Sequence, residues 1–538
     1  MTFETFDTHS RWPWMVTLWL SFSLVLTAGT GRAQVPFGIQ GPGVDPTNFR
    51  ITRFADGLNF PVGMTQLADG SVLVAVCNGN GGFYSSTSGS LIRLADNDGD
   101  GVADERTTLV ANVPGGKLSA LRSAGDLVFV TGQGGNVPIT IYRMGETPSS
   151  PMNLVGRVNL NYPGSWLHPH SALAVRESPD VPGSYDVFFQ LGSRTNFDDT
   201  SATVSLGSTI GSTTYTINGD AIHMLRIKDE PAGTLSLESV TEIATGLRNA
   251  AGMAFHPATG DLYLQDNGID GVVVAIEPTS ADELNVIPAA NIGGDIEDFG
   301  FPFTYEQYRT GTKIGNTGID PLVAFQPIPQ PNGSESEGPN DIVFAPAEFP
   351  EALRNGMFVG FHGQFSSGGL NNEENPLVFV DLNDNSYFHF IENTESGVGH
   401  LDGLLATNDS LFVADISPAG AIGASNRNSG VIYQLQAIGP TAADPDFNGD
   451  GFVDGADFLI WQSNFGTTTG ASVMSGDADS DGDVDDDDFD YWRTALNAGN
   501  VVGNNHSVPE PNVLLVALPP LGIWLRRRYG RTLSSIQG

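Results

Sequence analysis

A single cysteine, Cys77, stands in the 538 residues, so no disulfide forms within the chain. Its surroundings, Val72-Leu73-Val74-Ala75-Val76, read as a strand in which Cys77 is a small core residue rather than a reactive thiol. Basic residues are scarce: 24 Lys and Arg face 62 Asp and Glu, for a net charge of −38. That balance excludes nucleic acid as a partner, since phosphate contacts need a Lys/Arg surface, and it suits divalent cations. No long amphipathic helical pattern interrupts residues 48–438, which speaks against a Rossmann or barrel fold. Nor is there a nucleophile elbow, a phosphate loop or a zinc spacing.

Glycine (66) and proline (33) are abundant, as many short strands joined by tight turns require. The length exceeds what one core usually supports, so two or more domains are expected.

Both ends read as addresses. Residues 11–33 have a positive flank at Arg11, an apolar run from Trp12 to Leu26, and small residues in Gly31-Arg32-Ala33. That order is a signal peptide, with a mature start at Gln34 and a linker over 34–47. Glu4 and Asp7 are unusual in such a leader, so Met15 is an alternative start, and a retained anchor is the alternative role. Near the other end, Val508-Pro509-Glu510-Pro511 precedes the apolar run Val513 to Leu525 and then Arg526-Arg527-Arg528. Thirteen residues fall short of the ~20 that a helix needs to span a bilayer. The segment 508–530 resembles the PEP-CTERM sorting signal, which implies cleavage by an exosortase-type sorting transpeptidase. An exported protein at the cell envelope or outside the cell is expected. An ordinary C-terminal anchor would give a similar location.

Residues 444–490 hold fourteen Asp and no Lys or Arg. Asp446, Asn448, Asp450, Gly451, Asp454 and Asp457 fall at positions 1, 3, 5, 6, 9 and 12 of a calcium loop. Asp477, Asp479, Asp481, Gly482, Asp485 and Asp488 repeat the spacing 31 residues later. Alternate residues of such a loop turn oxygens inward, and glycine at position 6 permits the sharp turn. Each loop runs into an apolar stretch, Phe458-Leu459-Ile460-Trp461 or Phe489 with Trp492, that predicts a helix packed on its twin. The module at 444–498 resembles a type I dockerin pair, which implies calcium as a cofactor and a cohesin-like receptor. A metal-stiffened spacer is the alternative role. A third, shorter match, Asp96, Asp98, Asp100, Gly101 and Asp104, ends in Thr107 and reads either as a lone calcium loop between strands or as a polar turn.

Between 48 and 438 one unit recurs six times. An apolar segment meets a Gly/Asp turn and then an apolar strand, as in Ala68-Asp69-Gly70-Ser71-Val72, Gly125-Asp126-Leu127 and Gly260-Asp261-Leu262. The other copies centre on Tyr185–Phe189, Gly356–Gly360 and Asp409–Val413. Each copy predicts a hairpin of a small sheet whose two faces need cover, and radial stacking supplies it. The expected fold is all-β, a six-bladed β-propeller with a small α-helical calcium-loop module behind it.

The stretches Gly246-Leu247-Arg248-Asn249, Gly252-Met253-Ala254-Phe255, Asp282-Glu283-Leu284-Asn285 and Phe299-Gly300-Phe301-Pro302 occur in an order that resembles the soluble quinoprotein glucose/sorbosone dehydrogenases. The resemblance implies a pyrroloquinoline quinone cofactor with calcium and oxidation of a sugar or other alcohol. His170 would then be the catalytic base, Arg248 and Asn249 would contact the cofactor, and Asp282 and Glu283 would sit in a metal-bearing loop. The family also holds its cofactor with basic residues of the last blades. Here those stretches read Phe361-His362-Gly363-Gln364-Phe365 and Gly399-His400-Leu401-Asp402-Gly403, with no Lys or Arg. The other reading is a non-catalytic propeller that binds a sugar, a polysaccharide or a protein, or a matrix component assembled through its calcium module. Under it, Arg248-Asn249 tie a loop, and His168 and His170, either side of Pro169, are satisfied loop residues.

Overall fold

The computed structural model describes residues 35–134, 137–198, 201–271, 277–363, 374–392, 397–401, 403–438, 445–449, 452–468, 471–478 and 483–499. Residues 1–33 and 508–530, which the sequence suggests as a leader and a sorting tail, lie outside the described residues. The chain divides into two units, Met1–Gly439 and Pro440–Gly538.

The first unit is built from six mainly antiparallel sheets in chain order, with the short strand Glu297–Asp298 added parallel to the third and a small two-stranded hairpin beside them. The first has strands Pro61–Gln66, Val72–Cys77, Ser88–Ala95 and Glu105–Pro114. The second has Lys117–Ala124, Leu127–Gln133, Ile139–Arg143 and Asn153–Asn161, extended by the hairpin Thr203–Ser208/Tyr215–Asn218. The third has Leu173–Glu177, Ser184–Leu191, Ala221–Asp229 and Leu235–Thr245. The fourth has Gly252–Phe255, Leu262–Asp266, Asp282–Ile287 and Val323–Phe325. The fifth has Pro339–Phe344, Gly356–Phe361, Leu377–Asp381 and Tyr387–Ile391. The sixth pairs Gly403–Ala406, Ser410–Asp415 and Gly430–Ala437 with Phe49–Leu58 from the start of the unit.

The first strand of each sheet packs on the first strand of the next, and that of the sixth packs on that of the first. The sheets are therefore blades of a closed six-bladed propeller. The antiparallel pairing of Phe49–Leu58 with Gly430–Ala437 joins the two ends of the ring inside one blade. All six predicted hairpins are the inner pair of a blade.

Their second strands depart from simple alternation. Every residue of Val72–Cys77, Ser184–Leu191, Gly356–Phe361 and Ser410–Asp415 is buried. Each of these strands is covered on both faces by the neighbouring blades, so a near-continuous apolar run is what the geometry needs. Cys77 sits among them, 1% exposed, with its thiol 3.7 Å from the Leu118 carbonyl.

Blades two and five face each other across the ring axis. There Arg122 Nη2 lies 2.6 Å from Asp341 Oδ1, an ion pair between residues 219 positions apart. Asp341 also accepts the Ile342 and Leu404 amides, so three blades are tied at one carboxylate.

In the second unit, helices span Gly455–Asn464 and Asp486–Gly499. Asp454 caps the first helix, and Asp457 returns to the Asp454 amide, completing a capping box.

Candidate functional site

Loops and strand ends of blades one to five line a chamber of about 730 Å³ over one end of the ring. Blade one supplies Phe83 and Tyr84, and blade two supplies Lys117, Ser119 and Gln133. The approach to blade three supplies Trp166, Leu167 and His168; blade four supplies Arg248, Asn249, Asp270, Glu277 and Asp282; blade five supplies Glu337, Asn340 and His362.

His168 and Arg248 meet through the end of the strand Ser184–Leu191. The Ser193 amide donates to the Arg248 carbonyl (2.7 Å), and the His168 amide donates to the Ser193 carbonyl (3.0 Å). A Cβ on Gly192 would fall 2.6 Å from the Arg248 carbonyl oxygen and 2.8 Å from the His168 Cβ, so only glycine admits this approach. The Gly192 carbonyl accepts the Trp166 indole N–H at 2.8 Å.

His168 Nδ1 is 2.9 Å from Ser193 Oγ, leaving Nε2 as the ring's other nitrogen on a chamber-lining residue. Burial, then the nearby Arg248, holds its pKa well below the usual imidazole range. A neutral imidazole results, competent to accept a proton or a hydroxyl hydrogen bond.

His170, the residue the sequence suggested as base, does not line the chamber. It is wholly buried, its ring stacks on Tyr162, and its Nδ1 lies 2.8 Å from the Tyr162 hydroxyl. Burial lowers its pKa to about 4. The two histidines flank Pro169 and turn to different environments, and of the two only His168 lines the chamber.

Arg248 and Asn249 both line the chamber, and their polar groups are engaged. Arg248 Nη2 pairs with Asp270 Oδ2 (2.7 Å) and donates to Asn196 Oδ1 (2.7 Å). Its backbone amide and that of Asn249 donate to Asp266. Asn249 Nδ2 donates to Asn267 Oδ1 (2.6 Å), and its Oδ1 accepts from Gln190.

Asp282 and Glu283 lie on the strand Asp282–Ile287, not in a loop. The strand's period of two separates them. Asp282 lines the chamber and accepts the Gly268 and Gly338 amides. Glu283 lines a small cavity behind it together with Asp266, Phe299 and Tyr305. Burial raises the Asp282 pKa to about 7. It raises Glu283 as well, aided by Asp266, although part of the Glu283 side chain stays accessible.

His362 and His400 stack at 4.3 Å. His362 Nε2 is 2.7 Å from the Tyr84 hydroxyl. Both ring nitrogens of buried His400 face carbonyl oxygens, of His362 (2.6 Å) and Gly420 (2.9 Å).

Two other places gather metal-type ligands. In the turn between Ser88–Ala95 and Glu105–Pro114, carboxylate oxygens of Asp96, Asp98 and Asp104 converge within 4.8 Å. Asp100 instead accepts the Val102 amide there. In the second unit, Asp457 accepts the Asn448 and Asp454 amides, and Asp488 accepts the Ala478 and Asp485 amides. Asp457, Asp477 and Asp488 are buried. The indole of Trp461 donates to the Asp485 carbonyl (2.7 Å) and that of Trp492 to the Asp454 carbonyl (2.9 Å), so each helix clasps the opposite loop. Asp483 joins Asp485 and Asp488 in a carboxylate cluster that loop spacing did not single out. Asp446 and Asn448 are described residues, whereas Asp450, Asp479 and Asp481 lie outside them.

No family model matches the chain. A curated relative from Borreliella burgdorferi, described as an uncharacterized protein, is 31% identical over 132 residues, 23% of this chain. The chain spans 30% of that relative's length. Among solved structures, the chain is similar to the pyranose dehydrogenase PQQ domain of Coprinopsis cinerea, with 14% identity over 76% of this chain and 99% of that one, at a TM-score of 0.49. It is also similar to a Trichoderma reesei AA12 carbohydrate-active enzyme, with 19% identity over 76% and 100% and a TM-score of 0.47. The soluble aldose sugar dehydrogenase of Escherichia coli matches at 16% identity over 72% and 99%, with a TM-score of 0.45.

Proposed function

We propose that the chain is an exported propeller that binds a sugar or polysaccharide in this chamber. One observation carries the reading: the exposed ring of Tyr84 and the indole of Trp166 line the same space as the uncharged polar groups of Asn340, Ser119 and His168. Aromatic faces beside amide, hydroxyl and imidazole groups suit the apolar and hydroxyl faces of a pyranose.

The chamber's charges do not suit a quinone with three carboxylates. Two cations line it, Lys117 and Arg248, and Arg248 is held by Asp270. Lys117 lies over the Phe83 and Tyr84 rings. Asp270, Glu277, Asp282 and Glu337 line the same space and oppose an anion. Sugar oxidation is the second reading, favoured by His168, a buried neutral imidazole oriented by Ser193.

The paired loops at 444–498 are read as a calcium module that docks on a cohesin-like receptor, and the tail at 508–530 as a substrate for a sorting transpeptidase at the envelope. The buried carboxylates of Asp457 and Asp488 and the reciprocal indole contacts support the calcium reading. Titration of the full chain with aldoses and oligosaccharides tests the chamber. Saturable binding lost in His168→Ala supports the proposal, and no binding to any of them removes it.

A further inference from the structure

A set of carboxylates at the blade-five edge of the chamber is left over by this reading. Oxygens of Glu335, Glu337 and Glu374 lie within 4.8 Å of one another. A calcium-sized ion holds its oxygens at ~2.4 Å, so ligands on one such ion sit up to about 4.8 Å apart. Backbone bonds fix two of the three: the Glu337 amide donates to the Glu374 carbonyl (2.9 Å), and the Gly363 amide donates to the Glu337 carbonyl (3.1 Å).

Glu337 is 7% exposed, and its Oε1 has no hydrogen-bond partner. A second buried group with an unpartnered polar atom is Tyr308, 6% exposed, whose hydroxyl finds no partner. Glu337 and Glu335 are the charges that weigh most on it. Arg309 is the cation at hand, and it is committed to Glu277 and Glu335. The buried carboxyl of Glu337, whose Oε1 is unpartnered and which has Asp282 close by, calls for a proton or a cation. A proton on Glu337 would remove charge but leave Oε1 unpartnered, whereas a divalent ion would satisfy it.

We infer that Glu335, Glu337 and Glu374 form a calcium site in the chamber wall, with the Tyr308 hydroxyl as a neutral neighbour. The site is separate from the loops at 96–104 and 446–488 and from Asp282, whose oxygens are taken by the Gly268 and Gly338 amides. A calcium ion there would present its remaining coordination positions to the chamber, where vicinal hydroxyls of a sugar can fill them.

The test is equilibrium dialysis against calcium of the full chain carrying Asp457→Ala and Asp488→Ala, which weakens the terminal loops equally in both arms. Adding Glu335→Gln and Glu374→Gln should remove one bound calcium per chain, or weaken one site at least tenfold. Unchanged stoichiometry and affinity overturn the inference and leave Glu337 protonated. Should the quadruple variant fail to fold, crystals of the unaltered chain soaked in manganese give the same decision. An anomalous peak among the three carboxylates supports the site, and manganese bound elsewhere with none there refutes it.

Discussion

The Arg122 guanidinium meets the Asp341 carboxylate at 2.6 Å across the propeller axis, joining blades that share no strand. Both side chains are largely buried, 19% and 8% exposed. Removing one partner strands a charge in low dielectric. Arg122→Ala is therefore expected to cost about 3–5 kcal/mol of stability, and Arg122→Met with Asp341→Asn, which keeps an oxygen for the Leu404 amide, to recover part of it. Denaturant titration of the propeller transition checks both values.

Gly192 predicts a steric effect on the chamber. An alanine Cβ would press on the Arg248 carbonyl and the His168 Cβ, forcing the two segments apart. Gly192→Ala should destabilise the unit by about 1–3 kcal/mol. It should also weaken sugar binding more than a distant substitution of equal stability cost, as paired melting and binding curves would reveal.

His170 predicts a pH dependence. Its folded pKa of about 4 lies below the ordinary 6.5 because burial penalises the imidazolium. Between those values the unfolded chain binds more protons, so stability rises with pH there. The contribution is fully present above pH 6.5 and is lost as pH falls toward 4, amounting at most to about 3 kcal/mol. Melting temperatures across pH 4–7 should fall less steeply for His170→Phe than for the unaltered chain. Parallel curves would contradict the assignment.

The terminal module predicts a metal dependence. Its two helices hold most of the described helical residues, so far-ultraviolet ellipticity near 222 nm reports mainly on them. Chelation should reduce that signal and open 444–498 to proteolysis while the propeller persists. Asp457→Ala and Asp488→Ala together should mimic chelation.

Much of the ring was legible because each inner hairpin couples a Gly/Asp turn to a strand buried on both faces, a run such as Val72–Cys77 that few other settings tolerate. The outer strands were not, since Glu105–Pro114 and Asn153–Asn161 carry mixed surfaces. Closure by Phe49–Leu58 was also hidden, because its partner lies almost the whole unit away. In the chamber, Arg248 and Asn249 were found by their segment. The choice between His168 and His170 turned on the backbone around Pro169, which residue identity does not encode. Trp166 and Tyr84 were missed. The indole N–H that reaches the Gly192 carbonyl becomes visible only once the loop is placed.

Competitive binding to the full chain decides the central claim most directly: one titration series with aldoses and oligosaccharides, another with pyrroloquinoline quinone and calcium. The account predicts saturable sugar binding that His168→Ala weakens about tenfold, the loss of one buried hydrogen bond, with no quinone retained after gel filtration. Stoichiometric quinone retention, or sugar binding indifferent to His168, would contradict it.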